Sequence, residues 1–357
     1  MAKNSPEALA TKLEANAIRD QETFLERAKN AELLCKKDPP VYQGIVAMIA
    51  MGGYAYIFAF LGFFIWAIVG LGSAMASGHM AGYYSVKLLV VLVIFAWIII
   101  KALIVKIPTP KGTKLDRHDA PQLFALLDKL RDRLGVRIDE VLATPDLNAC
   151  IVQIPRLGML GWYKNYLVLG LPLLYGNTTE QFTAIVAHEM GHISGSHGET
   201  GSWIYSLSQS WRALLADMRR SPLTFYMFYP FFNWYYPYFL AYASVLNRQH
   251  EFEADRQAVQ LTNPKTMAES LISLELRSRF LSDRFSKNVT DQMLLEPVPP
   301  ENMYVDMAHQ MQCPDITFDE AERWYLQALN RPTDPHDTHP ALTDRLTDIG
   351  YPAADVE

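Results

Sequence analysis

Apolar residues are spread unevenly along the chain, and two stretches carry no charge at all. These are Gly44 to Gly72 and Leu88 to Ile100, with Lys87, Lys101 and Lys106 bracketing or interrupting the second. A helix of about 20 residues at 1.5 Å rise crosses a hydrocarbon core of roughly 30 Å, so the pattern predicts two transmembrane helices. A buried hairpin in a soluble core would need polar faces that neither stretch has. The link from Ser73 to Ser85 holds no Lys or Arg, whereas Lys29, Lys36 and Lys37 precede the pair and Lys106, Lys111, Lys114 and Arg117 follow it. By the positive-inside rule both flanks face the cytoplasm.

Residues 1–40 mix acids and bases closely around Leu9, Leu13, Phe24, Leu25 and Leu33. That spacing predicts a charged helical segment, solvated and ending at Asp38-Pro39-Pro40. The first apolar run begins too late for a signal peptide. The two spans and their short loop occupy 41–107, and after Pro108 and Pro110 the composition turns to that of a folded domain, 108–357. Asp119 and Pro121 start a helix with Leu123, Leu126, Leu127, Leu130 and Leu134 on one face, and Gly135 stops it. Ile138–Ala143, Ala149–Ile154 and Tyr166–Leu171 read as strands. Thr178 and Gln181 form a capping box for the next helix. Leu223–Leu246 carries no charge but holds Pro230, Asn233, Pro237 and many tyrosines, which suits either an interfacial or re-entrant segment or an apolar cover over a site. Arg212 and Asp217 rule out a span over 203–217. The expected class is α+β, mainly helical, with two transmembrane helices before the folded domain.

The helix after the capping box contains Ala187-His188-Glu189-Met190-Gly191-His192. Spacing of four puts His188 and His192 on one face, within reach of one zinc ion, while Glu189 points elsewhere and can act as the base for an attacking water. A catalytic zinc takes three protein ligands, so a third is required. His197 follows Gly195 in near-metzincin order, but one residue early. Glu251, in the run Asn247-Arg248-Gln249-His250-Glu251-Phe252-Glu253-Ala254-Asp255, shares a helix face with Asp255, which would let one carboxylate bind metal and the other orient an imidazole. Spacing leaves the two open.

The net charge of -6 arises from 38 acids and 32 bases. With no long basic run, nucleic-acid binding gets no support. Cys35, Cys150 and Cys313 lack the paired spacing of a thiolate site or disulfide framework, and a reducing compartment fits.

HExxH followed by Asn-Arg-x-x-Glu-Phe-x-Ala-Asp resembles the integral-membrane gluzincin peptidases that include the heat-shock protease HtpX and the CAAX prenyl proteases, with Asn247 in place of the family's Ser. Asn148-Ala149 and His339-Pro340 with Arg345 are similar to further elements of that family, in the same order. The resemblance covers roughly 115–350 and implies a zincin-like metallopeptidase domain binding one Zn2+. It implies Glu251 as third ligand, Asp255 behind a ligand imidazole, and His339, Arg345 and Asn148 as oxyanion or substrate contacts. It also implies a cytoplasmic site at the membrane, polypeptide substrates that include unfolded or membrane proteins, and quality control as the role. The competing class is a membrane scaffold or regulator with a non-catalytic zinc site.

Overall fold

Asp38 decides where the first helix stops and the second starts. Its carboxylate accepts the Val41 backbone N–H at 3.2 Å, capping a helix that opens on Pro39. In the computed structural model, which describes residues 6–80, 82–103, 109–155, 163–194, 222–295, 302–335 and 337–352, helix α1 is Pro6–Lys37 and α2 is Pro39–Ala76. Helix α3 is Tyr83–Leu103. Proline at the first helical position loses nothing, because its missing N–H would have no partner there.

The chain divides into two compact units, Met1–Ile107 with Trp203–Leu246, and Pro108–Ser202 with Asn247–Glu357. The first unit is helical. Among the described residues α2 and α3 are the two helices long and apolar enough to cross a membrane. They expose Met48, Phe63, Trp66, Val69 and Trp97 rather than burying them. Helices apolar all round with such faces bare suggest a membrane protein. Helix α7, Pro222–Leu261, contributes its first part to this unit. Its Phe232, Tyr235, Phe239 and Ala243 pack with Ala50 and Ile57 of α2. Tyr235 donates its hydroxyl to the Ile49 carbonyl at 2.7 Å, and Tyr42 donates to the Tyr242 carbonyl. The 223–246 stretch is therefore helical among the described residues and runs through Pro237, which cannot donate to the Asn233 carbonyl. Helix α1 differs from the solvated helix expected. Phe24, Ala28, Ala31 and Cys35 are all buried, at helical spacing, against Ala241, Val245, Leu246 and Tyr42. Apart from Phe24 the stripe is made of small residues, which a charge-based reading overlooks.

The second unit holds a four-stranded sheet in the order β1-β2-β4-β3. The strands are β1 Thr113–Leu115, β2 Glu140–Thr144, β3 Ala149–Pro155 and β4 Tyr163–Gly170. β2 and β4 are parallel, the outer pairs antiparallel, and among the described residues β3 forms an edge, with Ile151 opposite Leu167. Three of these strands follow the sequence reading; β1 is too short to show alternation. Helix α4, Pro121–Leu134, ends at Gly135 with φ +65°, a left-handed cap that glycine adopts without steric cost. A short helix α5, Leu171–Gly176, leads to α6, Thr179–Gly191, whose Thr178–Gln181 capping box is formed in both directions. Helix α6 lies in the core with Leu127 and Leu130 of α4, Ile151, Leu167 and Leu169 of the sheet, and Met267 and Leu271 of α8, Pro264–Phe280. It buries Phe182, Ala184, Ile185, Val186, Ala187 and Met190, being covered on several sides. The remaining described elements are a π turn Leu281–Phe285, α9 Ser286–Leu295, α10 Met303–Gln312, α11 Phe318–Leu329 and α12 Leu342–Asp348.

Candidate metal centre

The end of α6 and the second part of α7 meet at a glycine. A Cβ on Gly191 would lie 3.2 Å from the Ala254 Cα, tighter than side chains ordinarily pack, so the bare backbone favours the close approach of the two helices. Just beyond, Ser194 donates to Gln257 Oε1 at 2.7 Å. Sequence reading passed over Gly191; its place in an x position of the motif is the signal that was available.

That approach brings three donors together. His188 Nε2 and His192 Nε2 are 3.2 Å apart, His192 Nε2 is 3.3 Å from Glu251 Oε1, and His188 Nε2 is 3.5 Å from Glu251 Oε2. A tetrahedral ion with bonds of about 2.0–2.1 Å needs ligand atoms roughly 3.3–3.4 Å apart, so the donor set fits a zinc-sized ion. His188 and Glu251 are buried and His192 half-buried. His197, the competing residue, lies outside the described residues, as does His336.

Asp255 is fully buried behind His188, its Oδ1 2.8 Å from His188 Nδ1. A proton held there by the carboxylate leaves the Nε2 lone pair turned toward His192 and Glu251. Arg345 grips Asp255 with Nε at 2.8 Å and Nη2 at 2.6 Å, and its Nη2 is 3.8 Å from Glu251 Oε2. His339 Nδ1 lies 3.0 Å from Glu251 Oε2, on a largely exposed side chain. Asn148 is exposed at the start of β3, its backbone fixed by Asn148 N–H to Asp146 O at 2.9 Å and Gly170 N–H to Asn148 O at 2.7 Å. A Cβ on Gly170 would fall 1.8 Å from the Asp146 carbonyl, which explains that glycine.

The local charges favour a cation. Glu189, Glu251 and Asp255 all act on the Arg345 guanidinium. Burial raises the Asp255 carboxyl but Arg345 outweighs it, holding the group at about 2. Burial likewise opposes ionisation of Glu251, yet its hydrogen bonds to His188 and His339 keep it well below the usual carboxylate range. His188 is lowered by burial and raised more by Asp255 and Glu251, to about 10. Half-buried Glu189 is pushed up to about 7, chiefly by desolvation. Its charge also reaches Cys150 on β3, whose thiol burial drives to about 11. Ile151 of the same strand packs in one core cluster with α6.

Residues 142–353 match peptidase family M48. No curated relative matches the chain. Among solved structures, the crystal structure of S. mikatae Ste24p is similar at 19% identity, over 86% of this chain and 66% of that one, with a TM-score of 0.32. This chain thus spans just under two thirds of that protein's length.

Proposed function

Since the chain belongs to peptidase family M48, whose members are zinc metallopeptidases, we propose that it is a membrane-anchored zinc endopeptidase with His188, His192 and Glu251 as ligands of one ion. The observation that carries this reading is the convergence of those three donors at tetrahedral spacing. A zinc ion held there supplies Lewis acidity, lowering the pKa of water and polarising a peptide carbonyl. Glu189, adjacent in sequence to His188 but off the face that carries the ligands, takes the proton of the attacking water on its carboxylate and returns it to the leaving amine. Asp255 and Arg345 hold the His188 ring in place. His339, whose pKa is raised by its hydrogen bond to Glu251, acts as an imidazolium, donating Nδ1–H to Glu251 and Nε2–H to the carbonyl oxygen as negative charge develops there.

The substrate is an extended polypeptide laid along the free edge of β3, where backbone pairing supplies affinity without fixing a sequence. Asn148, at the head of that strand, contacts the same chain. Unfolded and membrane proteins present such segments, which fits quality control. Helices α2 and α3 span the bilayer with both flanks in the cytoplasm, and residues 108–357 form the cytoplasmic peptidase domain, with 223–246 as a further membrane-associated helix.

The test is casein cleavage by the detergent-purified chain beside Glu189→Gln, with zinc content measured in both. Activity in the wild type that vanishes in the zinc-loaded variant is expected, the loss reaching at least 10²-fold for a general base. Zinc-loaded wild type that cleaves nothing favours a scaffold or regulator with a non-catalytic site. Equal cleavage by both forms removes Glu189 from the mechanism.

A further inference from the structure

His339 presents a physical problem. It is exposed and stands on a bend between α11 and α12, outside any helix or strand, yet its Nδ1 is held 3.0 Å from a buried carboxylate. A side chain on a free loop would lose most of that contact to backbone entropy, of order 1–2 kcal/mol per residue fixed. Something must hold the backbone on which it stands.

The tether comes from the helix that carries the carboxylate. Arg248 lies three residues before Glu251 on α7, so the two project to neighbouring positions on one face. It is buried, and its Nη1 donates to the carbonyls of Pro335 at 3.3 Å and Asp337 at 3.2 Å. Asp337 in turn accepts the His339 backbone N–H on its Oδ1 at 3.0 Å. Further on, Thr333 Oγ1 accepts the Ala341 N–H at 2.6 Å while donating to Asp344 Oδ2 at 2.6 Å. The stretch around His339 is thus pinned by the guanidinium on one side and by Thr333 on the other.

We infer that Arg248 is a positioning residue that clamps the backbone at Pro335 and Asp337 so that His339 stays on the Glu251 carboxylate. One α7 face then presents both the carboxylate and the clamp for the segment that returns to it, so the two stay in register. Both bonds leave the one Nη1 nitrogen, whose two hydrogens can each meet a carbonyl, and the guanidinium keeps its charge when buried, where an ammonium shifts its pKa readily. The consequence for turnover rests on the protease reading; the clamp itself does not.

Two measurements on the full-length protein in detergent separate these. The first is hydrogen exchange at the His339 and Ala341 amides. Arg248→Gln speeds it by on the order of 10-fold, as expected when charge-assisted hydrogen bonds are lost, with α6 amides unchanged, and Arg248→Lys gives an intermediate rate. Exchange that stays at the wild-type rate in both variants overturns the clamp, whether or not the protein cleaves anything. The second is a double-mutant cycle on casein cleavage. Arg248→Gln and His339→Ala each lower kcat with little change in KM, and the double variant is no slower than His339→Ala alone. Losses that multiply show that Arg248 acts by another route and sink the inference. Where Arg248→Gln does not fold, Arg248→Met, which keeps an apolar stem and removes the donors, carries both measurements, and wild-type behaviour from it in each overturns the clamp. A wild type without activity removes the protease reading and leaves the exchange result to judge the clamp.

Discussion

At the scale of single residues, the buried Asp255 joins two tasks that are easily confused. Its Oδ1 faces His188 Nδ1 at 2.8 Å, and both oxygens are gripped by Arg345. Replacing it with Asn keeps the shape, removes the charge and leaves a buried guanidinium unpaired. Removing one partner of a buried pair costs about 3–5 kcal/mol, and loss of an orienting carboxylate typically lowers metal affinity by about 10–100-fold. Asp255→Asn is therefore expected to melt earlier and to give up zinc to a chelator at lower chelator concentration. Zinc affinity equal to that of the wild type in a folded Asp255→Asn protein would show that the carboxylate serves Arg345 alone. Sequence spacing paired Asp255 with Glu251 on one helix face but gave no sign of the Arg345 bond, since the partners are far apart along the chain.

At the scale of elements, the proposed substrate track rests on the edge position of β3. Among the described residues the order β1-β2-β4-β3 leaves one side of β3 without a neighbouring strand, and Ile151 of β3 packs in the same core cluster as α6. A proline at those positions of β3 whose N–H turns away from β4 removes a donor from the free edge and spares the bonds to β4. Such substitutions are expected to raise KM for casein several-fold, consistent with the loss of one hydrogen bond of roughly 1 kcal/mol, with melting temperature little changed. If cleavage kinetics stay at wild-type values for prolines at every such position, the substrate does not pair with β3. The short apolar run Ala149–Ile154 announces a strand, but edge or centre depends on which partner the fold supplies.

At the scale of the whole molecule, the proposed topology turns on charge, and a native thiol reports it. Cys313 is exposed in the second unit, while Cys35 is buried and Cys150 half-buried. A membrane-impermeant maleimide is expected to label Cys313 in inside-out vesicles and to leave it unlabelled in sealed right-side-out ones. The reverse pattern would place the peptidase unit outside the cytoplasm and overturn the reading of Lys29, Lys36 and Lys37 against the Lys-free link. Two bare apolar helices fix the solvent those helices need; they do not by themselves say which way round the chain sits.

Several features were determined by the sequence alone because their causes lie within one or two turns of chain. The uncharged runs produced α2 and α3, Pro121 and Gly135 bounded α4, and Thr178 with Gln181 capped α6. Four-residue spacing likewise put His188 and His192 side by side. Tertiary structure decided what depends on partners distant in sequence. It buried α1 along a stripe of mostly small residues, ran a helix through Pro237, and brought Glu251 to the two histidines through the close crossing at Gly191. It also set His339 on Glu251 and Arg345 on Asp255. The physical reason is one of range: capping, periodicity and transfer from water act locally and leave a pattern in the string of residues. The meeting of an imidazole, two carboxylates and a guanidinium depends instead on how helices and loops pack, which only the folded chain specifies.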